Sequence, residues 1–370
     1  MRILHVTKKY PNALGGDATA VSNLERQQKK NGHEVFILTT NCDEIIDKKN
    51  VMKFGVKDTP ASLDKITFKR IFSLIELYFK TKKILKEIKP DVVHSHSIDM
   101  GFIMSKACKK CGVPIVNTFH SGFFSIEGDN FVRSVLMKKI SKYLKFDKMI
   151  AVNKKDVGKN KSKFNNLVFV PNGVDLSEFD LSKKLKRKRN TLLFAGRVEE
   201  YKGLKYLFSS IKSIKNKIKN IKLIVVGDGS CLDEYKNLCK KLDIQKNVSF
   251  LGKLPHKKVI VEYQKSSVFV LPSYTSSETF GIVLLEALAC KTPVITTNIV
   301  GVADEIKKNN CGVVVKPKDS IGLANAVIKI LDKPQLAKQM GENGRKLVEK
   351  KYSWAKIGKQ IENVYEGVLK

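Results

Sequence analysis

Two glutamates in the last third of the chain, Glu278 and Glu286, have seven residues between them and flank a small-residue turn and the start of an apolar helical stretch. A helix that begins near Gly281 points unpaired backbone N–H groups and the positive end of its dipole at an anion bound in front of it. Fully helical spacing would place the two carboxylates about 12 Å apart. Carboxylate pairs that act on a single glycosidic bond are only about 5–9.5 Å apart. The spacing therefore predicts contacts to two ends of one elongated ligand.

An ordinary structural interpretation of the same pair stays open at this point. Acidic residues are enriched at helix N-termini. Glu278 would then be a capping acid and Glu286 a solvated helix residue, so the neighbouring sequence has to decide between the two interpretations.

Two cations, Arg197 and Lys202, follow a predicted strand at residues 191–195. Arginine offers a planar fork that matches phosphate oxygens, and lysine offers a mobile point charge. Side by side at the end of a strand they would neutralise a diphosphate leaving group without a metal ion. In a chain with a net charge of +33, two solvated surface cations are the alternative.

Adjacent glycines, Gly15 and Gly16, stand between the first predicted strand and a helix predicted to start near Ala18. Glycine pairs before a helix allow backbone N–H groups to approach a phosphate closely. The spacing is neither the G-x-G-x-x-G fingerprint nor a P-loop, which disfavours nicotinamide enzymes and P-loop ATPases.

The elements that must position these residues alternate between short apolar strands and helical periods. In the first half, strands are predicted at residues 2–6, 34–39, 91–94, 114–119, 148–152 and 167–170, and helices at 18–30, 71–88, 98–111 and 131–145. In the second half, strands are predicted at 191–195, 222–226, 248–250, 268–271, 294–296 and 312–315. This pattern predicts an α/β protein with two doubly wound parallel-sheet, Rossmann-like domains and a ligand cleft between the carboxyl ends of their sheets.

We place the first domain at residues 1–175 and the second at 190–353, with a terminal helix at 354–370 that packs back on the first domain. The basic stretch at 182–190 is interpreted as a solvated linker, with a nuclear signal or a phosphate-binding patch as alternatives.

Composition adds weaker expectations. The 69 basic residues against 36 acidic ones would attract phosphorylated substrates, anionic membranes or nucleic acid. The seven cysteines include one Cys108-x-x-Cys111 pair with no second pair at metal-ligand spacing, which predicts free thiols and no structural metal. No signal peptide and no run of eighteen apolar residues occur, so we expect a cytoplasmic protein.

Taken together, the motifs resemble those of the family 4 retaining glycosyltransferases of GT-B fold, along essentially the whole chain. The shared features are the Gly-Gly pair, the segments at 117–121 and 171–175, Gly196-Arg197 with Lys202-Gly203, Gly-Asp-Gly at 227–229, and the glutamate pair.

The resemblance implies a role for each residue. Arg197 and Lys202 would bind the donor diphosphate, Glu278 the hydroxyls of the transferred sugar near its anomeric centre, Glu286 the nucleotide ribose, and His120 the sugar from the N-terminal side. The backbone groups that would hold phosphate and sugar belong to Gly15, Gly16, Phe280, Gly281, Ile282 and Val283. The implied catalytic set is Glu278, His120, Arg197 and Lys202, with no metal or other cofactor, because the cations and the helix N-terminus supply the electrostatic stabilisation.

The implied reaction moves a sugar from a nucleoside-diphosphate sugar to an acceptor hydroxyl with retention of configuration. No second carboxylate is placed for a double displacement, so we favour same-face attack in which the leaving phosphate takes the acceptor proton. The chain departs from the family pattern at residues 300–304, which leaves the role of Asp304 open. His94 and His96 should face the same side of their strand, and we favour a structural or cleft-lining role over metal binding.

The acceptor should be bound by the first domain, as a sugar or a lipid-linked sugar. Residues 66–86 mix aromatic, aliphatic and Lys side chains as an interfacial helix does, and 131–145 are similar, so an anionic membrane surface is a possible partner beside the alternative of an ordinary surface helix. The rival functions are a nucleic-acid-binding protein, argued from charge alone, and another GT-B enzyme such as a sugar-nucleotide epimerase or a glycogen-type synthase.

Overall fold

The structure is a computed structural model that describes residues 1–10, 16–41, 50–53, 68–120, 145–182 and 185–370. These residues form two compact units: Met1–Pro171 together with Trp354–Lys370, and Asn172–Ser353. The division falls about ten residues before the predicted linker at 182–190. Val174 forms a parallel bridge with Ser353, and Phe179 is buried, so the turn sequence around them packs within the second unit.

Seven parallel strands form the sheet of the first unit, in the order β3-β2-β1-β4-β5-β6-β7. They are β1 (Arg2–Lys9), β2 (Glu34–Asn41), β3 (Val51–Lys53), β4 (Val92–Ser95), β5 (Ile115–Phe119), β6 (Lys148–Ala151) and β7 (Leu167–Phe169). Every residue of β4 and β5 is buried, as expected for central strands covered on both faces.

The helices of this unit pack on both faces of the sheet. They are α1 (Gly16–Lys30), α2 (Phe68–Ile88), α3 (Ile98–Cys111) and α4 (Lys154–Asn160). α3 has the predicted bounds because Gly112, at φ 68°, ends it with a left-handed cap whose N–H bonds the Cys108 carbonyl. The predicted helix at 131–145 lies, apart from Lys145, outside the described residues. β3 and α4 are too short for a periodicity to reveal and were not predicted.

Six parallel strands form the sheet of the second unit, in the order β10-β9-β8-β11-β12-β13. They are β8 (Thr191–Ala195), β9 (Lys222–Val226), β10 (Val248–Gly252), β11 (Val268–Leu271), β12 (Val294–Thr297) and β13 (Gly312–Val315). The helices are α5 (Leu204–Ile214), α6 (Leu232–Lys241), α7 (His256–Lys265), α8 (Ile282–Ala289), α9 (Ala303–Lys308), α10 (Ser320–Leu331) and α11 (Pro334–Leu347). The prediction of two parallel-sheet, Rossmann-like domains is confirmed.

The C-terminal helix α12 (Trp354–Leu369) belongs to the first unit. Its apolar face, with Ile357, Ile361 and Tyr365, shares a buried cluster with Leu24 of α1 and Ile150 of β6. A second cluster on the other face of the sheet joins α2 and α3 to the strands. The chain's last helix therefore completes the core of its first unit.

Two expectations from the sequence concern this fold: that the cysteines are free thiols, and that no long apolar run occurs. The cysteines that the structure describes, Cys108, Cys111, Cys231, Cys239, Cys290 and Cys311, are all free. Among the described helices, none is both long and apolar enough to cross a membrane.

Candidate functional site

The second sheet places the predicted site residues at one edge. Its strand order reverses between β8 and β11, and open α/β sheets bind ligands beyond the carboxyl ends of their strands at such a point. Gly196 and Arg197 directly follow β8, and Pro272 and Ser273 directly follow β11. Parallel strands thus bring together loops that are far apart in sequence.

Lys202 and Glu278 meet at this edge in an ion pair between Lys202 Nζ and Glu278 Oε2. Each side chain is only 11% exposed, and Ser273 Oγ donates a hydrogen bond of 3.3 Å to the same carboxylate oxygen. A carboxylate beside an ammonium, both largely shielded from solvent, is a geometry that electrostatic catalysis uses.

A glycine sets the position of Lys202. The lysine closes a 3₁₀ turn, Glu200–Lys202, and Gly203 follows at φ 75°. A Cβ at Gly203 would lie 2.2 Å from the carbonyl oxygen of Pro272, so only glycine lets the turn pack against the backbone that follows β11. This close approach explains why a glycine follows Lys202 in the sequence.

Arg197 is exposed beside this pair, and Tyr201 organises both cations. The arginine donates a hydrogen bond of 2.8 Å to the Tyr201 hydroxyl, with its guanidinium carbon 5.7 Å from the centre of the tyrosine ring. Lys202 Nζ lies 5.3 Å from the same ring centre. Tyr201 was missed in the sequence, although its place between two candidate phosphate ligands was a usable signal.

The Gly-Asp-Gly loop after β9 is tied to the loop after β8. Glu199 accepts hydrogen bonds from the Ser230 hydroxyl at 2.7 Å and the Ser230 N–H at 3.2 Å. These bonds from Ser230 lower the pKa of the Glu199 carboxyl. The Gly196 N–H also bonds the Val226 carbonyl at 3.0 Å, so the two loops form one rigid edge.

Gly227→Ala should test this rigidity. Gly227 has φ 131°, and an added Cβ would lie 1.8 Å from the Gly196 carbonyl oxygen. We expect the substitution to lower the free energy of unfolding by about 3 kcal/mol, because backbone on both sides must move. Urea unfolding measures the loss. Gly252→Ala is the control, since Gly252 has φ 66° with nothing within 4 Å, and should cost only about 1 kcal/mol. Equal losses in the two variants would contradict the close contact.

The helix that carries Glu286 begins where it was predicted. Gly281 is the N-cap of α8 at φ 86°, and a Cβ there would lie 2.7 Å from Val300 Cγ1. Ile282 and Val283 form the first two helical residues and are partly exposed. Phe280 is buried, with its ring 6.0 Å from that of Tyr352. The Leu284 N–H bonds the Gly281 carbonyl at 2.9 Å, so the N–H groups of Ile282 and Val283 are the ones that can face an anion in front of the helix.

The ordinary interpretation of the two glutamates is wrong on both counts. Glu278 does not cap α8, because the cap is Gly281 and makes no side-chain cap bond, while the Glu278 carboxylate pairs with Lys202. Glu286 is not solvated, because it is only 8% exposed.

Glu286 lies in a second polar cluster, inside the same unit. Its Oε2 accepts a hydrogen bond of 2.9 Å from the Tyr263 hydroxyl, and its Oε1 lies 3.4 Å from His256 Nε2. His256 Nδ1 lies 3.2 Å from Glu178 Oε2. Hydrogen bonds to Glu178 and Glu286 raise the pKa of His256 to about 10, so the imidazole is cationic at neutral pH. Sequence reasoning missed these partners of Glu286, since no motif connects them to it.

His256→Gln gives a pH-dependent prediction. The folded-state pKa of about 10 lies above the ordinary value of 6.5, so the stabilisation is complete below pH 6.5 and is lost as the pH rises through about 10. Because the His256 side chain is 44% exposed, solvent screening reduces the effect to about 1 kcal/mol.

Urea unfolding of the wild type and His256→Gln at pH 6 and pH 10.5 should therefore show a difference that shrinks at the higher pH. Glu178→Gln is the matched variant and should remove part of the same difference. A loss that is identical at the two pH values would contradict the charged pair.

The first unit holds the other predicted residues. His120 directly follows β5, and Gly16 is the first residue of α1, whereas Gly15 lies outside the described residues. His94 and His96 face the same side, as predicted, with ring centres 4.2 Å apart. His5 of β1, in register with His94, joins them and was missed, although a histidine in a strand predicted as buried was a signal.

These three histidines are the group in the described part of the chain that could hold a metal ion by spacing. One nitrogen from each of His5, His94 and His96 lies within 4.8 Å of the others, and all three residues are buried. Asp304, whose role was left open, lies in the first turn of α9.

Two family profiles match the chain in succession. The family described as Glycosyltransferase Family 4 matches residues 14–178, and the family described as Glycosyl transferases group 1 matches residues 177–347.

Two curated relatives span nearly all of the chain. An uncharacterized glycosyltransferase of Methanocaldococcus jannaschii is 30% identical over 394 residues, covering 99% of this chain and 98% of the relative. A capsular polysaccharide biosynthesis glycosyltransferase of Staphylococcus aureus is 29% identical over 389 residues, covering 100% and 97%.

Two solved structures share the fold over their whole length. Sucrose-phosphate synthase of Thermosynechococcus elongatus has a TM-score of 0.82 at 21% identity, covering 100% of this chain and 99% of that one. The Anabaena HepE protein in complex with UDP-glucose has a TM-score of 0.78 at 16% identity, covering 99% and 100%. The chain therefore belongs to the family 4 glycosyltransferases, with the GT-B fold of two Rossmann-like domains.

Proposed function

We propose that this glycosyltransferase moves a sugar from a nucleoside-diphosphate sugar to an acceptor hydroxyl with retention of anomeric configuration. The observation that carries the proposal is the shielded Lys202–Glu278 ion pair beside Arg197 at the carboxyl edge of the second sheet. A nucleoside-diphosphate sugar has phosphates for the two cations and hydroxyls for the Glu278 carboxylate.

The diphosphate would be bound by Arg197 and Lys202. An ammonium has three N–H donors, and the bond to Glu278 uses one of them, so the others are available to phosphate oxygens. The first turn of α8 adds backbone donors and the positive end of the helix dipole. These fixed charges stabilise the leaving group as the bond to C1 breaks, which removes the need for a metal ion.

The two glutamates would divide the rest of the donor between them. Glu278 would accept hydrogen bonds from sugar hydroxyls close to the anomeric carbon. Glu286 would accept bonds from the ribose hydroxyls, since each of its oxygens already has one partner, Tyr263 or His256, and has capacity for another. The rigidity that these partners confer favours a preorganised site.

The chemical step would be same-face displacement. The bond from C1 to the phosphate oxygen breaks, the acceptor oxygen bonds to C1 on the same face, and the acceptor proton passes to the departing phosphate. The relative from Staphylococcus aureus acts in capsular polysaccharide biosynthesis. This supports a role in polysaccharide, glycolipid or surface-glycan synthesis. The nucleic-acid alternative, argued from charge alone, is not favoured.

A donor panel tests the proposal. UDP-, GDP- and ADP-sugars are screened by thermal shift, and the hit is then assayed for release of nucleoside diphosphate with and without EDTA. NMR of the product should show the anomeric configuration of the donor. Failure of every nucleotide sugar to bind, an inverted product, or loss of activity in EDTA would overturn the corresponding part of the proposal.

We further propose that the acceptor is presented at an anionic lipid surface that α2 contacts. In the described portion of α2, Thr81, Leu85 and Ile88 are buried, while Phe79 is 64% exposed and Lys83 faces solvent. An exposed aromatic beside lysines favours an interface with anionic lipid. The protein should sediment with anionic vesicles in low salt and be released by high salt. Equal sedimentation with neutral vesicles would contradict this.

A further inference from the structure

Two residues of α7 hold the Glu286 carboxylate, one at each oxygen. The Tyr263 hydroxyl donates a hydrogen bond of 2.9 Å to Glu286 Oε2, and His256 Nε2 lies 3.4 Å from Glu286 Oε1. His256 and Tyr263 stand two helical turns apart, so they lie on the same face of α7. One face of a single helix therefore contacts both oxygens of a buried carboxylate.

Glu178 contacts the other side of the His256 ring. It ends a short 3₁₀ turn, Leu176–Glu178, and its Oε2 lies 3.2 Å from His256 Nδ1. The ring of the buried Phe179 lies 5.9 Å from the imidazole, edge to face. Two carboxylates and one aromatic ring thus fix the position of the imidazole.

The two carboxylates require a proton on both ring nitrogens of His256. A neutral imidazole has one N–H and donates to one carboxylate, whereas the imidazolium has two N–H groups and donates to both. Hydrogen bonds to Glu178 and to Glu286 raise the pKa of His256 to about 10. At neutral pH the ring is therefore a cation that joins the two carboxylates.

Between neutral pH and about pH 10, His256 changes charge while the other titratable side chains beside Glu286 stay neutral. Among the described residues, the charged groups that act on His256 are Glu178, on the 3₁₀ turn, and Glu286, on α8. Burial raises the pKa of Tyr263 well above its ordinary value and that of Cys290, the C-cap of α8, to about 12. A change in the cluster over this pH range therefore reports His256.

Glu286 can accept one more hydrogen bond at each oxygen. An ionised carboxylate has about four acceptor sites on its two oxygens. Tyr263 uses one site on Oε2 and His256 uses one on Oε1. The cis diol of a ribose has two neighbouring O–H donors, one for each oxygen, whereas a 2′-deoxyribose has only one of them.

We propose that His256 and Glu178 are positioning residues that orient the Glu286 carboxylate for a ribose cis diol and so make the donor site select ribonucleotides over 2′-deoxyribonucleotides. This rests on the proposed function, in which Glu286 binds the donor ribose. Without the cation, the carboxylate keeps only the Tyr263 bond, rotates more freely about its terminal bond and presents an uncompensated charge to an anionic donor. A site built to bond a substrate hydroxyl discriminates against the analogue that lacks it.

Calorimetric titration of the full chain with UDP, GDP and ADP, each beside its 2′-deoxy form, tests this selection at pH 7.5. For the pair that binds, we expect the ribonucleotide to have a dissociation constant at least about tenfold lower, the scale of one hydrogen bond to a charged group. In His256→Gln the ratio should fall to about threefold or less, because the amide brings no charge and has one nitrogen in place of two.

Lys258→Gln is the matched control for His256→Gln. It also removes a cation from the first turn of α7, but from an exposed side chain about 200° around the helix axis from His256. The ratio of the two dissociation constants should equal the wild-type ratio in this variant.

The pH dependence of the ratio distinguishes a charged positioning residue from a merely structural one. The two nucleotides of a pair share base and diphosphate, so titration of those groups cancels in the ratio. The wild-type ratio should fall between pH 7.5 and pH 10.5, because the imidazolium loses one N–H as the pH rises through about 10. Glu178→Gln should move this fall to lower pH, since the bond to Glu178 is the largest cause of the raised pKa. His256→Arg, whose guanidinium stays protonated, should keep the ratio at both pH values.

Three results would overturn the inference: equal affinity of the wild type for the two forms, an unchanged ratio in His256→Gln, or a wild-type ratio that is the same at both pH values. The wild-type pH series needs no substitution, so poor folding of a variant does not prevent the test. Failure of every diphosphate to bind would instead overturn the proposed function, and with it the ribose contact of Glu286.

Discussion

Lys202→Met should lower kcat/KM for sugar transfer by about 10³-fold, the effect of removing one preorganised donor from a developing negative charge. The Lys202 side chain is only 11% exposed, and the turn closed by Gly203 and the pair with Glu278 fix its position. The substitution also leaves the Glu278 carboxylate beside the diphosphate without its counter-charge, which adds repulsion. Release of nucleoside diphosphate under steady-state conditions measures the loss.

Lys205→Met is the matched control for this experiment. Lys205 lies three positions after Lys202, and its Nζ forms an ion pair of 2.8 Å with Glu200 Oε1 at the surface. Its replacement should change kcat/KM less than threefold, which is the scale of a surface ion pair. Similar losses in both variants would show that positive charge in general, and not the Lys202 position, supports transfer.

Glu278→Gln should lower kcat by about 10²-fold or more while the donor dissociation constant stays within a fewfold of the wild-type value. The carboxylate lies beside the bond that breaks in the proposed step, where positive charge develops on the sugar, and an amide cannot stabilise that charge. Single-turnover kinetics give the chemical step, and calorimetric titration with the donor gives the dissociation constant.

Glu286→Gln should affect donor binding more than the chemical step, which is the opposite of Glu278→Gln. It should raise the donor dissociation constant about tenfold, with a smaller change in kcat, because a ribose contact is the same in the ground state and the transition state. Equal effects of the two substitutions on donor affinity would refute separate roles. A trapped glycosyl adduct on Glu278 would refute same-face attack.

Much of the fold was readable from the chain because its strands are short and apolar throughout. Residues buried on both faces of a parallel sheet leave continuous apolar runs, which is why β8 and β11 have their predicted bounds. β9 and β13 also have their predicted bounds, although they are less completely buried. α3 was equally clear, since Gly112 marks its end. The three-residue β3 and the seven-residue α4 carry too little pattern to stand out from a loop.

Only part of the candidate site could be predicted from the sequence. Arg197, Lys202 and Glu278 were singled out because they adjoin strand or helix ends with characteristic glycines, and Glu286 was singled out by its spacing from Glu278. His256, Tyr263 and Glu178 were not found, because a buried carboxylate takes whichever donors the packing brings to it, and no spacing rule records that. The same holds for His5, Gln28 and Tyr365 around the predicted histidines.

Local sequence was enough to predict the two Rossmann-like domains and the candidate site residues at their strand ends. Burial pattern and turn chemistry act over a few neighbouring positions, so both can be recognised in the sequence. The pairing of Lys202 with Glu278, 76 positions apart, and of Gln28 with Tyr365, 337 positions apart, arose only when parallel strands and a returning helix brought distant loops together. Hydrogen bonds and ion pairs depend on ångström distances, and folding alone sets those distances.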